Sequence, residues 1–534
     1  MNTHTHTHTQ QVVENEGSGK LWGGRFEKDT DPDAVNWAES LTCDEEMVTE
    51  DLWGSMAHVT MLGRQGVIEP AKAGKLMNAL LSLQNQNMAG ELDFFEKEFK
   101  NHDDVHMNME ARLIKMTGMD IGGRMHTTRS RNDQVPVSSQ LRTRNLLLQL
   151  RSNVVDAANA FLDRAEEPGA LEQVMPGYTH FQHAQPISVA FWISHYAAAL
   201  SRDLSRLSHA YNSVDANPLG GGAISGTSFP IDRHLTTRLL GFQKVRRHAL
   251  DATGHRDWMC EVLNSNATLS TTFSRLAEEL IMWSSYEFRT VTLDDGFAMG
   301  SSMMPQKKNP GTIELLRGRH GILSGYAAAG LSMLHGLPSG YNRDFHEEKE
   351  LLFASTNMAI RASQIVAPVV SSTQFNLERM EELCDKNFMT ATELANWLVK
   401  EHDVPFRETH HVVGSLVGAM VKQGKDLTYL DDVVKHLNDT CGLNTSKEEI
   451  KPVLTPKDVM LSYNSFGGTG PEATKETVQE LREEIQNHAD VLSTDMNRVS
   501  SAMEATRAIC RDVSTDGSCT TGQLQSLIEK YSPA

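Results

Sequence analysis

Eleven consecutive residues, Gly300-Ser301-Ser302-Met303-Met304-Pro305-Gln306-Lys307-Lys308-Asn309-Pro310, gather two hydroxyls, two lysines and an asparagine just ahead of a helical pattern at Thr312-Ile313-Glu314-Leu315-Leu316. Gly300 permits a bend closed to other residues, and the prolines fix φ. The start of the following helix leaves backbone N–H groups unpaired, and lysine and asparagine side chains add further donors. Such a loop can hold an anion, and a carboxylate suits it. An exposed basic loop ahead of a helix would have the same composition. The GxxxxGK[ST] spacing of a phosphate-cradling loop is absent.

Other polar clusters share this character. His126-Thr127-Thr128-Arg129-Ser130-Arg131-Asn132-Asp133-Gln134 places two arginines among hydroxyls and an amide, and arginine forks match carboxylates. It reads as a second anion-binding loop, without the interleaved aromatic residues that stack on bases. Asn101-His102-Asp103-Asp104-Val105-His106 has a metal-like mixture, which reads better as a helix N-cap with acids in the first turn. Pro176-Gly177-Tyr178-Thr179-His180-Phe181-Gln182-His183-Ala184-Gln185-Pro186 and Pro218-Leu219-Gly220-Gly221-Gly222-Ala223-Ile224 read as loops. His180 stands out there because an imidazole exchanges protons near neutral pH. A last polar loop spans Gly336 to Glu350 and includes Tyr341, His346 and Lys349.

These loops need rigid elements between them. Leu269, Phe273, Leu276, Leu280 and Trp283 recur at gaps of four, three, four and three, the stripe of a helix buried along one seam. Similar patterns over Leu141–Phe161, Ile187–Leu207 and Ile313–Leu334 predict four long helices in a bundle, with function carried on loops at its ends. The expected fold is all-α. Its predicted parts are a disordered tail (1–20), an N-terminal domain (21–130), a central helical bundle (131–386), a C-terminal helical domain (387–492) and an appended tail (493–534).

Composition narrows the function classes. With 39% hydrophobic and 22% charged residues the chain is that of a soluble globular protein, and no apolar run approaches the ~20 residues of a membrane span. A net charge of −19 without a cationic stripe argues against a nucleic-acid partner, yet leaves room for an anionic substrate in a local positive pocket. Six cysteines without a CxxC pair suit a reducing compartment, and residues 1–19 lack the features of a signal sequence, so a cytoplasmic protein is expected. The alternating His4, His6 and His8 read as part of an inert tail rather than a metal site.

The eleven-residue stretch resembles the signature of the fumarase/aspartase superfamily, and the form Gln306-Lys307-Lys308-Asn309-Pro310 resembles that of the argininosuccinate lyase family within it. The other polar clusters resemble family counterparts in the same order from about Leu21 to about Leu492. The resemblance implies a homotetramer around a central helical bundle, in which three loops from three subunits meet at each active site. It implies no metal and no organic cofactor. The implied reaction is β-elimination of L-argininosuccinate to L-arginine and fumarate, the last step of arginine synthesis. Related N-succinyl amine lyases and crystallin-like structural proteins share the fold.

By the same resemblance Ser301 is the catalytic base, and His180, paired with Thr179, is the acid or its partner. Ser130, Arg131 and Asn132 bind substrate carboxylates, and Lys307, Asn309, Tyr341, His346 and Lys349 are further substrate contacts. The residue types alone do not choose Ser301 over Ser302. The chain departs from the family pattern at His346 (usually glutamine), His183 (usually arginine), Thr128 (usually glycine) and Gly254-His255-Arg256-Asp257 (usually serine-acid-Arg-Asp). The His346 change bears on which amine leaves.

Overall fold

The computed structural model describes residues 30–532 apart from 97, 100–103 and 517. Leu21–Phe26, the histidines of the first ten residues, and His102 and Asp103 therefore lie outside the described residues. Among the described residues the longer helices α1 (Val48–Arg64), α2 (Pro70–Met88) and α3 (Val105–Thr117), with shorter helical turns around them, precede the bundle. Asp104 is the N-cap of α3, its carboxylate accepting from Met107 N at 2.7 Å, which is the capping role expected of that cluster.

The bundle consists of α4 (Arg131–Ala165), α5 (Val189–Val214), α6 (Asp257–Trp283), α7 (Gly311–Leu334) and α8 (Glu348–Ser372). The four predicted long helices are present. The fifth, α8, begins inside the stretch read as a polar loop, because Arg343–Glu347 is a 3₁₀ turn that runs directly into it.

Two other loop readings are corrected. Arg131 to Gln134 form the first turn of α4, and Ser130 is its N-cap in a capping box with Asp133. Val174–Thr179 (β1) and Gln182–Ser188 (β2) form an antiparallel hairpin with His180-Phe181 as its two-residue turn. Both turn residues take positive φ, 54° and 57°, the geometry that matches the twist of a two-residue hairpin. The signature stretch is likewise closed at its base, where Met299–Gly300 (β3) pairs with Lys308–Asn309 (β4).

Successive helices run up and down the bundle. At one end, here called proximal, lie Ser130 and the glycine loop that follows α5. At the distal end Trp283, the last residue of α6, packs on Trp192 near the start of α5 with ring centroids 4.6 Å apart. There too Arg164 Nη2 donates to Thr373 O at 2.9 Å, just beyond α8. The 35 residues of α4 span about 50 Å between the two ends.

Beyond α8, Leu394, Leu398, Leu416, Val433, Leu437 and Ile450 belong to a core of their own, separate from the main one. The chain then returns to the bundle. Helix α9 (Pro471–Asp512) is continuous through residue 493, where an appended tail was expected, and α10 (Thr521–Tyr531) follows. Ile485, Val499, Ile509, Leu524 and Ile528 join the main core, and α9 packs against α1, α2, α4 and α5. Arg498 ties α9 to Asp215 at 2.7 Å, and Arg151 of α4 meets Asp495 at 2.9 Å.

Candidate active site

The proximal group is assembled around the start of α4. Asp133 is buried, and its carboxylate accepts from Ser130 N, Gly220 N and Gly222 N, each at 2.9 Å. One carboxylate thus fastens the glycine loop to the helix N-terminus. Gly222 needs its φ of +62° to present that N–H, and a Cβ there would meet Gly226 O at 2.7 Å. Asn132 Nδ2 adds a bond to Ala223 O at 3.0 Å. Burial raises the Asp133 pKa, against the pull of these N–H groups.

Beside this junction Arg131 meets Glu110 at 2.9 Å. Burial opposes ionisation of Asp104, yet the charges of His106, Arg131 and Lys349 bring its pKa below the usual carboxylate value. Three sequence-separated groups therefore act on one carboxylate. Beneath them His106 Nδ1 pairs with Asp51 Oδ1 at 2.6 Å, fully buried, and Gln134 and Ser138 of α4 donate to the same oxygen. Among the described residues no group of three or more His, Cys, Asp or Glu is arranged to hold a metal ion.

Lys349 is 1% exposed, and its ammonium meets Asp44 and donates to Ser40 Oγ at 2.9 Å. Ser40, His346 and Lys349 border a cavity of about 370 Å³ that is also lined by Cys43 and Glu350. Burial, then the Lys349 charge, lower the His346 pKa to about 4, so its imidazole is neutral at physiological pH. Tyr341 stands edge-on to Phe345, with centroids 5.8 Å apart. Sequence reasoning missed Ser40, Asp44 and Asp133; the Ser-x-x-x-Asp spacing of the first two places both on one short helical turn, a signal visible only once Lys349 is seen against it.

The distal group holds Thr179, His180, Ser301, Lys307 and Asn309. Thr179 and His180 are exposed at the hairpin tip, and His183 Nδ1 lies 3.5 Å from Lys386 O. Ser301 Oγ accepts from Met303 N at 3.3 Å and Met304 N at 3.0 Å. Among the described residues the Ser302 hydroxyl makes no hydrogen bond. Lys308 is drawn to Asp295 at 2.6 Å, whereas the neighbouring Lys307 side chain is exposed, and Asn309 Nδ2 faces Gly300 O at 3.5 Å. Within one chain the proximal residues Ser130, Arg131, Asn132, Tyr341, His346 and Lys349 come together. The distal residues lie tens of ångströms from them along the bundle.

The family described as Lyase matches residues 24–325, and the one described as Argininosuccinate lyase C-terminal matches 388–460. An argininosuccinate lyase from Geobacillus thermodenitrificans (strain NG80-2) is 40% identical over 467 residues, covering 87% of this chain and 99% of its own. One from Listeria monocytogenes serovar 1/2a is 39% identical over 467 residues, 87% of this chain and 100% of its own. Among solved structures, an EDDS lyase in complex with formate superposes with TM-score 0.77 at 25% identity, covering 93% of this chain and 94% of its own. A class II fumarase from Schistosoma mansoni shares the fold at TM-score 0.65 and 17% identity, covering 80% and 92%. The all-α bundle, the ordered polar clusters and these similarities place the chain in the argininosuccinate lyase family of the fumarase/aspartase superfamily.

Proposed function

We infer that this protein is a carbon–nitrogen lyase that converts L-argininosuccinate to L-arginine and fumarate. A base removes a proton from the succinyl carbon next to a carboxylate, and charge accumulates on that carboxylate. The electron pair then forms the fumarate double bond as the C–N bond to the guanidino nitrogen breaks. The transition state needs donors on a dianionic carboxylate, supplied by Lys307 and Asn309, and a base that is an oxyanion when it acts. Ser301 fills that role. A serine is a weak base at neutral pH, and the two N–H groups aimed at its Oγ stabilise the deprotonated form, which is the observation that carries this assignment. Thr179 and His180, at the tip of the hairpin, serve the proton transfer to the leaving amine. Ser130, Arg131 and Asn132 take a carboxylate at the start of α4, and Tyr341, His346 and Lys349 hold the amine portion.

Proximal and distal residues act together only if they come from different copies of the chain, and a homotetramer meets this need. Helix α7 supports it: Leu315, Ile322 and Leu331 are about half exposed, and Gly318 and Gly325 leave open space beside them, an apolar face suited to another copy. No described helix is long and apolar enough to cross a membrane, and a cytoplasmic enzyme is consistent with the six free cysteines. The test is fumarate release, followed by ultraviolet absorbance, from argininosuccinate and from adenylosuccinate, aspartate and other N-succinyl amines. Turnover of argininosuccinate in preference to the rest is expected. Turnover of a different amine alone would keep the elimination and overturn the substrate.

A further inference from the structure

The segment that carries Tyr341, His346 and Lys349 does not hold itself in place. It is seated on the turn at Thr253–Arg256, none of whose residues is itself assigned a substrate contact. Arg256 and Glu348 form an ion pair in which both side chains are wholly buried. The guanidinium also donates through Nη1 to Thr253 O at 3.2 Å and His255 O at 3.0 Å, so it is fixed to its own turn. Its Cζ lies over the Phe345 ring, 4.7 Å from the centroid, and that ring meets Tyr341 edge-on. Glu348 is the residue before Lys349. One planar cation therefore touches the segment at two points, each adjacent to a residue of the amine pocket.

A second contact sets how deeply the segment sits. Gly254 faces Gly340, and a Cβ on Gly254 would lie 2.8 Å from Gly340 N and 2.9 Å from Gly340 Cα. Backbone, not a flexible side chain, is what the methyl would strike. Gly340 itself takes φ +92°, open to glycine. The residue at 254 therefore fixes the approach of the two backbones. This chain has glycine there, a residue with no Cβ, and His346, a ring bulkier than an amide, further along the segment that begins at Gly340.

We propose that Arg256 and Gly254 are positioning residues for the amine side of the site: the buried Arg256–Glu348 pair and the Gly254–Gly340 backbone contact set the depth at which Tyr341, His346 and Lys349 meet the leaving amine. This rests on the assignment of those three residues to the amine. An arginine fork holds a carboxylate and stacks on a ring in ways a lysine cannot, so Arg256→Lys keeps the charge and loosens the seat. Gly254→Ala pushes the seat outward by a different route, which keeps the test open if one variant folds poorly.

The test uses the full-length enzyme and measures KM and kcat for argininosuccinate with inhibition by arginine and by fumarate. In both variants KM and the arginine inhibition constant rise at least about tenfold, kcat changes less than about threefold, and fumarate inhibition is unchanged. A purely structural role would lower thermal stability without this split between arginine and fumarate, and that result overturns the proposal. His346→Ala is the control. If it weakens arginine inhibition while Arg256→Lys and Gly254→Ala do not, the positioning role alone falls. If it leaves arginine inhibition unaltered, the amine assignment falls and the proposal with it.

Discussion

Replacing Asp133 by alanine removes the carboxylate that fastens the glycine loop to the start of α4. Three backbone N–H groups lose their acceptor, each now at 2.9 Å. A hydrogen bond to a charged acceptor is worth about 1.5–3 kcal/mol, so simple addition gives ~5–9 kcal/mol. The bonds share one acceptor and burial already disfavours its charge, as the raised pKa indicates, so a loss of about 3–5 kcal/mol is the expected scale. Asp133→Asn retains one acceptor oxygen, which suffices for the two glycine N–H groups, and loses mainly the cap, about 1 kcal/mol. Activity responds as well, because Asn132 and Ala223 are held in register by the same junction. A fall of about 100-fold in kcat/KM corresponds to ~2.7 kcal/mol of barrier. Urea-induced loss of activity and near-ultraviolet dichroism at fixed protein concentration reads the first quantity, and fumarate release reads the second. An alanine variant within about 1 kcal/mol of wild-type stability and threefold of its kcat/KM would refute the reasoning.

Ser301→Ala should fold and assemble normally and lose at least about 99% of turnover; retention of a tenth of the wild-type rate, a barrier change of only ~1.4 kcal/mol, rules out Ser301 as the base. Thr128, a β-branched residue at φ +68°, carries strain, and Thr128→Gly should stabilise the protein by ~0.5–1 kcal/mol once the extra freedom of glycine in the unfolded chain is deducted; a lower thermal midpoint would contradict this. Burial, then the charge of Arg129, lowers the pKa of His58 and of His126 from 6.5 to about 3. These rings stay neutral in the folded protein while the unfolded chain takes up protons, so their contribution is complete above pH 6.5 and is lost as pH falls below it. Between pH 6.5 and 5 the loss for fully buried His58 is about 1.6 kcal/mol. Stability that is flat across this window, or a slope that His58→Asn does not reduce, would count against it.

Much of the architecture was legible because long helices repeat their apolar positions, as Leu269 to Trp283 do. Helix α8 escaped because its first turn is charged: Glu347, Glu348, Lys349 and Glu350 read as a polar loop, yet Glu348 and Lys349 are buried by Arg256 and Asp44. The same local bias hid the start of α4, where Arg131, Asn132 and Asp133 serve as a capped first turn. The hairpin was missed because its turn is His-Phe at positive φ instead of an Asn-Gly pair. The candidate site residues were named through short motifs, but the choice between Ser301 and Ser302 depends on amides three-dimensionally aimed at one hydroxyl. The roles of Asp44 and Asp133 depend on partners 305 and 87–89 positions away in sequence.

The central claim is that the proximal and distal groups meet between copies of the chain. It is tested most directly by mixing two inactive proteins, Asn132→Leu at the proximal end and Ser301→Ala at the distal end, under conditions that exchange subunits. Because one chain holds these residues at opposite ends of the bundle, mixed assemblies contain sites with both residues intact, and fumarate release from argininosuccinate should reappear. Absence of activity after subunit exchange has been demonstrated by mass would contradict the account.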